Sequence, residues 1–583
     1  MGIVDTAYLE LTADVLIVGS GGAALRAALA ADTSGAEVLI AVKGEFAKSG
    51  ATYYSVAEVG AFNVPDGVAN TKDSPEQFLQ DILTAGRGMS DPRLSRILSE
   101  EAIDAMHFLE DCGVEFEKQE DRYMAWQACF STKPRSHVIQ NHFKPISKAL
   151  GQEVERRNIK VLEHFTVTNL IVRNGQCFGV YALDNSGRCA VIRAKATILA
   201  TGGASQLFSR NLYPPDITGD GYAMAYRAGA HLVNMEFMQA GIGLIYPFIN
   251  LFGNYLWEAM PNLTNKQGEL LVQKYIDADL TVEMVMKKKA LHFPFSSQDI
   301  SRFIEISVQK EINNGNGTEH GGVYLDFSNT DFETLLADKQ TSFSKMWPLT
   351  YDWFQKRNVN LYKDKVEIAC FGHAINGGVR IGENAESNIQ GLFTAGEVAG
   401  GPHGADRLGG NMSVTCQVFG KRAGEAAARF SQRIPKNQMI EDLFQEERGY
   451  LQQFSGDGEH SLAELKQRLQ KDATAGLLII RNEQGLQKFL HEADEIENLL
   501  LNDSGINTLG DVIAAMELVN LIDVGRMMAT AALVRTESRG SHYREDCPQM
   551  DQGQSKNIVI DRTNKDGYFM AKLEDWRNSR NSQ

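Results

Sequence analysis

The chain has 583 residues, which excludes a single small module and leaves room for several domains or one large α/β unit with insertions. Hydrophobic residues make up 43% and charged residues 23%, a globular balance that excludes a disordered tail or a fibre. Acidic residues outnumber basic ones 74 to 58, and the formal charge of -16 repels phosphate backbones and anionic lipid, so no nucleic acid is expected as a partner.

The N-terminal stretch has no basic region followed by an apolar core, and no run of about 18 apolar residues occurs. An unprocessed, cytoplasmic protein without direct membrane insertion is the expectation. The first strong pattern is the apolar run Val15 to Val18, which leads into Gly19-Ser20-Gly21-Gly22 and the alanine-rich stretch Ala23 to Ala31. This reads as strand, tight turn and helix, and Val38 to Val42 reads as the next parallel strand of a βαβ unit. Glycines at such a turn let a pyrophosphate approach the amides and the positive end of the helix. The second strand ends in Val42-Lys43-Gly44, with no acidic side chain for an adenosine ribose, so backbone groups are expected to contact that ribose.

From Ile159 to Leu199 short β-branched runs alternate with turn residues, as in an antiparallel meander, and end at Ala200-Thr201-Gly202-Gly203. Between Phe237 and Trp353 the pattern turns irregular, which suits an inserted domain, and strand-and-turn texture resumes over Gly372 to Gly410. Beyond Pro435, apolar residues recur three and four apart through Glu441 to Leu469, Leu486 to Leu501 and Asp511 to Val534, the signature of a helical unit. The polar residues from 546 onward read as a surface arm. The seven cysteines are scattered without a CxxC pair, which suits a reduced chain and argues against zinc or an iron-sulfur cluster held by this polypeptide alone.

Two later segments decide the kind of dinucleotide. Ala200-Thr201-Gly202 has the form of a strand returning to the cofactor, and Gly391 to Glu397 that of a strand placing an acid beside a ribityl chain. Two returning strands imply a long cofactor. Together with Lys48 to Thr52, Thr218 to Gly221, His373 to Val379, His403 to Asn411 and Glu537 to Asp546, they make the chain resemble the flavoprotein family of fumarate reductase, succinate dehydrogenase and L-aspartate oxidase. The resemblance covers nearly the whole chain. It implies an α/β fold: a Rossmann-like FAD-binding domain (1–237 and 355–434), an inserted α+β capping domain (238–354), a C-terminal helical domain (435–545) and an arm (546–583). It also implies that FAD is held by Gly19, Gly21, Gly22, Ala23, Lys43, Ser49, Gly50, Ala51, Thr52, Ala200, Thr201, Gly202, Asp220, Glu397, Asn411 and Ser413.

Departures from the family pattern shape the functional expectation. Membrane-complex members carry a histidine that bonds covalently to the flavin; this chain has Lys48-Ser49-Gly50, so FAD is expected to be noncovalent. His373 and Arg407 match the family's carboxylate-binding residues, Arg407 as a planar fork for two charge-assisted bonds. The alternatives are an internal ion pair of Arg407 with Asp406 and a His373 satisfied by main-chain groups. His403 is assigned to the substrate side, with packing near the flavin as the alternative. Gly241 stands where the family has a substrate-contacting histidine, and Gln298 where it has the arginine that protonates fumarate. An amide cannot serve as general acid at neutral pH. Arg302, one helical turn on, is the candidate replacement, against a solvent-facing or ion-paired arginine. Trp257 and Glu258 replace a threonine and acid, which implies a larger, more aromatic pocket. Arg135-Ser136-His137 matches a flavin-proximal stretch loosely.

The expectation is an FAD-dependent oxidoreductase that moves a hydride between flavin N5 and a small carboxylate-bearing substrate other than plain fumarate or succinate. The alternatives are a flavoprotein subunit working with a separate iron-sulfur protein, as adenylylsulfate reductase and the fumarate reductases do, and a flavin-binding scaffold without turnover.

Overall fold

Strand β1 (Tyr8–Val18) is buried along Val15 to Val18 because both faces of its sheet are covered, as a continuous apolar run demands. It enters helix α1 (Gly22–Thr33), and β2 (Val38–Val42) returns parallel to it, with Leu16 beside Leu39 and Ile17 beside Ile40. The computed structural model describes residues 8–54, 60–120, 122–251, 253–435, 443–562 and 570–574. The outer ends of the expected first and last units, residues 1–7 and 575–583, lie outside the described residues, as do 441–442 at the start of the expected helical run.

Among the described residues the main sheet has seven strands. Its path runs from Lys160–Glu163 through β2 and β1 to β3 (Cys189–Leu199), and on to the antiparallel pair Gln176–Asp184 and Phe165–Arg173. The chain then forms helix α2 (Asp220–Arg227) and crosses to a second sheet, in which β4 (Met238–Tyr246) pairs antiparallel with β5 (Val366–Ile375). Val323–Asp326 and Asn262–Thr264 extend that sheet. Its strand β5 therefore lies past residue 354, where the inserted unit was expected to end. Strand β6 (Leu392–Thr394) rejoins the main sheet parallel to β3, and α3 (Asn411–Ser431) packs along α1.

The helical unit comprises Leu462–Gly476, Glu483–Asn502 and α4 (Leu509–Val534), the first and last opened by capping boxes, Ser461 with Glu464 and Thr508 with Asp511. Helix α4 is buried almost all round, which fits its largely apolar sequence. Beyond it, β7 (Asn557–Asp561) is a buried strand between Leu232–Val233 and Met570–Glu574, so this part of the expected surface arm is a sheet element. Its run Ile558-Val559-Ile560 is short and flanked by polar residues, too brief to stand out as a strand. A buried network, with Arg535 bonded to Glu236 and Glu537 and Arg539 bonded to Glu537, ties the segment after α4 to the residues before β4. Among the described residues no helix is long and apolar enough to cross a membrane.

Candidate active site and cofactor cleft

An open cleft follows the ends of β1, β2, β3 and β6. One wall is the turn Gly19, Gly21, Gly22 and Ala23, the next Lys43 with Ser49, Gly50, Ala51 and Thr52, and the floor Ala200, Thr201, Gly202 and Asp220, with Glu397 and Met412 at the far end. Gly19 sits at φ 116, and a Cβ there would stand 2.4 Å from the carbonyl oxygen of Ala200, so the turn locks onto the returning strand only with glycine. Helix α1 starts without a side-chain cap at Gly21, and Gly22 N–H donates to Thr52 Oγ1 at 3.1 Å. Helix α3 likewise starts uncapped, at Gly410. Two positive helix ends thus meet one cleft, an arrangement for a multiply anionic ligand. Thr201 Oγ1, Asp216 Oδ1 and Asn411 Nδ2 are buried without a hydrogen-bond partner, as expected of groups that take theirs from a bound molecule. Asn411 Oδ1 accepts from Asn63 Nδ2, and Ser413 Oγ donates to Ala61 O at 2.7 Å, so Ser413 is spent on the main chain beside the cleft.

The missing acid at the end of β2 is explained by what Lys43 does. Its ammonium donates to Thr218 Oγ1 at 2.7 Å and to Asp220 Oδ2 and Glu517 Oε1 at 2.8 Å each, joining β2 to α2 and α4. Burial works against the charge, yet the two carboxylates outweigh it and hold the Lys43 pKa above its ordinary range; Lys43 holds Asp220 low in return. Glu517, some 470 residues downstream in the largely apolar helix α4, has no motif around it that points to Lys43.

Beyond Glu397 lies a second cluster. Burial pushes the Glu397 carboxyl up to about 7, although Ile375 N–H donates to it at 3.2 Å. On β5, His373 faces Tyr213, whose hydroxyl is 3.3 Å from Nδ1, and burial, reinforced by Arg407, takes the imidazole down to about 3. His403 sits at about 3 for the same reasons, with Nε2 3.2 Å from Thr415 Oγ1 and Nδ1 unpartnered. Arg407 is buried, donates from Nη1 to Leu408 O at 3.1 Å, and leaves Nε without a partner. The alternative ion pair with Asp406 is not formed: Asp406 turns away to accept from Ser296 Oγ at 2.7 Å and Arg87 Nε at 3.3 Å. Arg407 lies near enough to both imidazoles to help lower them, and among the described residues no carboxylate pairs with its guanidinium.

Residues 14–413 match the family model described as FAD binding domain, and residues 466–574 the one described as fumarate reductase flavoprotein C-term. The chain belongs to the FAD-binding flavoprotein family of fumarate reductase and L-aspartate oxidase. It is an FAD-dependent oxidoreductase. It is 34% identical over 94% of its length to an uncharacterised FAD-dependent oxidoreductase of Methanocaldococcus jannaschii, covering 96% of that protein. It is 32% identical to one subunit of the fumarate reductase (CoM/CoB) of Methanothermobacter marburgensis, covering 94% of this chain and 97% of that one. The solved structure of Mycobacterium smegmatis Sdh1 in complex with UQ1 superposes with a TM-score of 0.85 at 26% identity, over 97% of this chain and 95% of the other. The cleft, with two helix ends and the unpartnered Thr201 Oγ1 and Asp216 Oδ1 in its lining, fits FAD, and among the described residues no histidine lines it.

Other expected site residues of this flavoprotein lie elsewhere. Gln298 spends its amide on the segment after α4: Nε2 donates to Ser538 O at 2.8 Å and Oε1 accepts from Gly540 N–H at 2.6 Å. With Ser297 N–H on Gly540 O at 2.7 Å it fastens the inserted unit to the C-terminal signature. Arg302 donates to Ser297 O, lies 3.6 Å from Asp277 and stacks on the Phe303 ring, which corrects its expected role as proton donor to that of an ion-paired arginine. Trp257 is buried in the large core that runs from the main sheet to the helical unit, and Glu258 accepts from Phe343 N–H at the start of helix Ser342–Gln355. Glu258 thus answers a helix dipole, and the expectation that these two line the substrate pocket is not what the packing shows. Arg135 is bound to Asp73 and Asp81, and His137 lies 3.0 Å from Asp66, a structural use of that stretch. Sequence reasoning missed Tyr213 and Phe293, both beside His373; each lies in irregular chain outside any recognised motif.

Proposed function

We propose that this flavoprotein oxidises or reduces a small carboxylate-bearing substrate other than plain fumarate or succinate, anchored by Arg407. The supporting observation is the Arg407 guanidinium, buried, unpaired with any carboxylate among the described residues and left with an open Nε. Bound FAD supplies the hydride chemistry at N5 of its isoalloxazine, held noncovalently by the amides of Gly19 to Ala23, by Thr52 and Thr201, and by the start of α3. Arg407 orients the carboxylate by two parallel donors. Neutral His373, steered by Tyr213, offers one ring nitrogen to the substrate as a hydrogen-bond partner without adding charge. Ser296, Ser297 and Gln298 hold the inserted unit against Asp406 and residues 538–540 and so keep water from the site. The test is anaerobic flavin reduction or reoxidation by candidate carboxylates in wild type, Arg407→Ala and Arg407→Lys. Loss of about 100-fold or more in rate with FAD content unchanged supports the reading; unchanged rates refute it.

A second reading is favoured by one observation: the Methanothermobacter relative is named as one subunit of its fumarate reductase. On that reading the chain exchanges electrons with a separate iron-sulfur protein, because among its own described residues no cluster of three or more His, Cys, Asp or Glu could hold a metal. Copurification of an iron-containing partner with tagged chain from its native host supports it, and a chain active alone with its physiological acceptor refutes it.

A further inference from the structure

Beside His373 stand a glycine and a ring that depend on each other. A Cβ at Gly241, on β4, would stand 2.9 Å from Phe293 Cζ and 3.2 and 3.3 Å from the two flanking ring carbons, so the tip of the Phe293 ring fills the space a side chain at 241 would need. The same ring meets His373 edge-on, with centroids 6.2 Å apart at 88°, while Tyr213 flanks His373 at 5.8 Å. The main chain at Phe293 is fastened on both sides: its N–H donates to Cys129 Sγ at 3.3 Å, and its carbonyl accepts from Lys289 Nζ at 2.7 Å. Lys289 is itself buried in an ion pair with Glu305. Phe293 is therefore a fixed wall.

Charge points the same way as shape. Arg407 can neutralise one carboxylate. His373 and His403 are neutral, Lys289 is consumed by Glu305, and Arg302 is turned to Asp277. A second carboxylate set against the Phe293 ring would meet hydrocarbon that offers it no donor, and such desolvation goes uncompensated. We propose that Phe293, seated over Gly241, is the specificity wall of the site, and that the substrate is a monocarboxylate carrying an apolar group where a dicarboxylate would carry its second charge. The inference rests on the reading of Arg407 as carboxylate anchor.

Crotonate and fumarate share a four-carbon skeleton and differ by a methyl against a carboxylate, so they probe the wall directly. The FAD-loaded protein is titrated with each by calorimetry and by the ligand-induced change in flavin absorbance. Crotonate is expected to bind at least about 10-fold tighter, the scale of one apolar group in a fitted pocket. Phe293→Leu keeps the preference, Phe293→Ala loses most of it, and the double variant Phe293→Ala with Gly241→His shifts it toward fumarate. Equal or tighter binding of fumarate by wild type overturns the proposal, as does a preference that Phe293→Ala leaves intact. Arg407→Ala separates the two levels. If it abolishes binding of both ligands while the preference is wrong, the wall alone fails; if it changes neither affinity, or wild type binds neither ligand, the carboxylate reading fails with it.

Discussion

Replacing Lys43 by methionine keeps a stem of matching length and removes the ammonium that joins three elements. Asp220 is then left with Thr218 Oγ1 and Asn520 Nδ2, at 2.8 and 2.9 Å, and no cation at bonding distance. Breaking a buried pair by deleting one partner costs about 3–5 kcal/mol. Side chains here retain 19%, 14% and 23% exposure for Lys43, Asp220 and Glu517, which places the cost at the lower end, about 3 kcal/mol. For a unit of 150–250 residues that is a fall in Tm of roughly 6–12 °C. The pH dependence has a definite sign. In wild type the Asp220 pKa is depressed, so its contribution is present above the unfolded value of about 3.9 and lost only as pH falls through the folded pKa. In Lys43→Met the buried, uncompensated carboxyl is raised instead, so the deficit grows as pH rises above about 4 and shrinks on acidification toward 5. Parallel thermal melts of FAD-loaded protein at pH 5 and 8, with Asp220→Asn and the double variant, measure this. The double variant is expected to recover at least half of the loss at pH 8. A single variant that melts with wild type at both pH values, or a deficit that Asp220→Asn does not relieve, refutes the clamp.

Glu397→Gln keeps an oxygen acceptor for Ile375 N–H but cannot ionise. Because burial raises the wild-type carboxyl to about 7, its contribution is present at low pH and lost as pH rises through 7, so the variant should match wild type at pH 5 and melt higher at pH 8 in differential scanning fluorimetry. Gly19→Ala puts a methyl 2.4 Å from the Ala200 carbonyl at a φ of 116, and should purify with little or no FAD by absorbance; full FAD content would contradict the locked turn. Gln298→Ala frees Ser538 O and Gly540 N–H and should speed limited proteolysis within residues 238–354, while cleavage at the wild-type rate would remove Gln298 from the latch.

Local chemistry made much of the fold legible. The βαβ opening is contiguous, and the turn at Gly19, the returning segment at Ala200 to Gly202 and the strand before Glu397 each announce themselves within a few residues. What stayed hidden depends on contacts made at long range. Glu517 meets Lys43 across 474 positions, and nothing around it distinguishes it from other charged residues of a helix. Gly241 shows a missing side chain, but only packing shows that Phe293 occupies the space. Gln298 shows what it cannot do, and only the hydrogen bonds to Ser538 and Gly540 show what it does. Arg302 and Glu258 misled because an arginine one turn away and an acid in a matching segment have the right chemistry while pointing elsewhere, at Asp277 and at the amide of Phe343.

The most direct measurement of the central claim, that the cleft between the ends of α1 and α3 holds FAD without a covalent bond, is the absorption spectrum of the purified protein before and after acid precipitation. A flavin spectrum at about one FAD per chain, with all of the yellow in the acid supernatant, is the predicted result; a yellow pellet, or a colourless protein that takes up no added FAD, would contradict it.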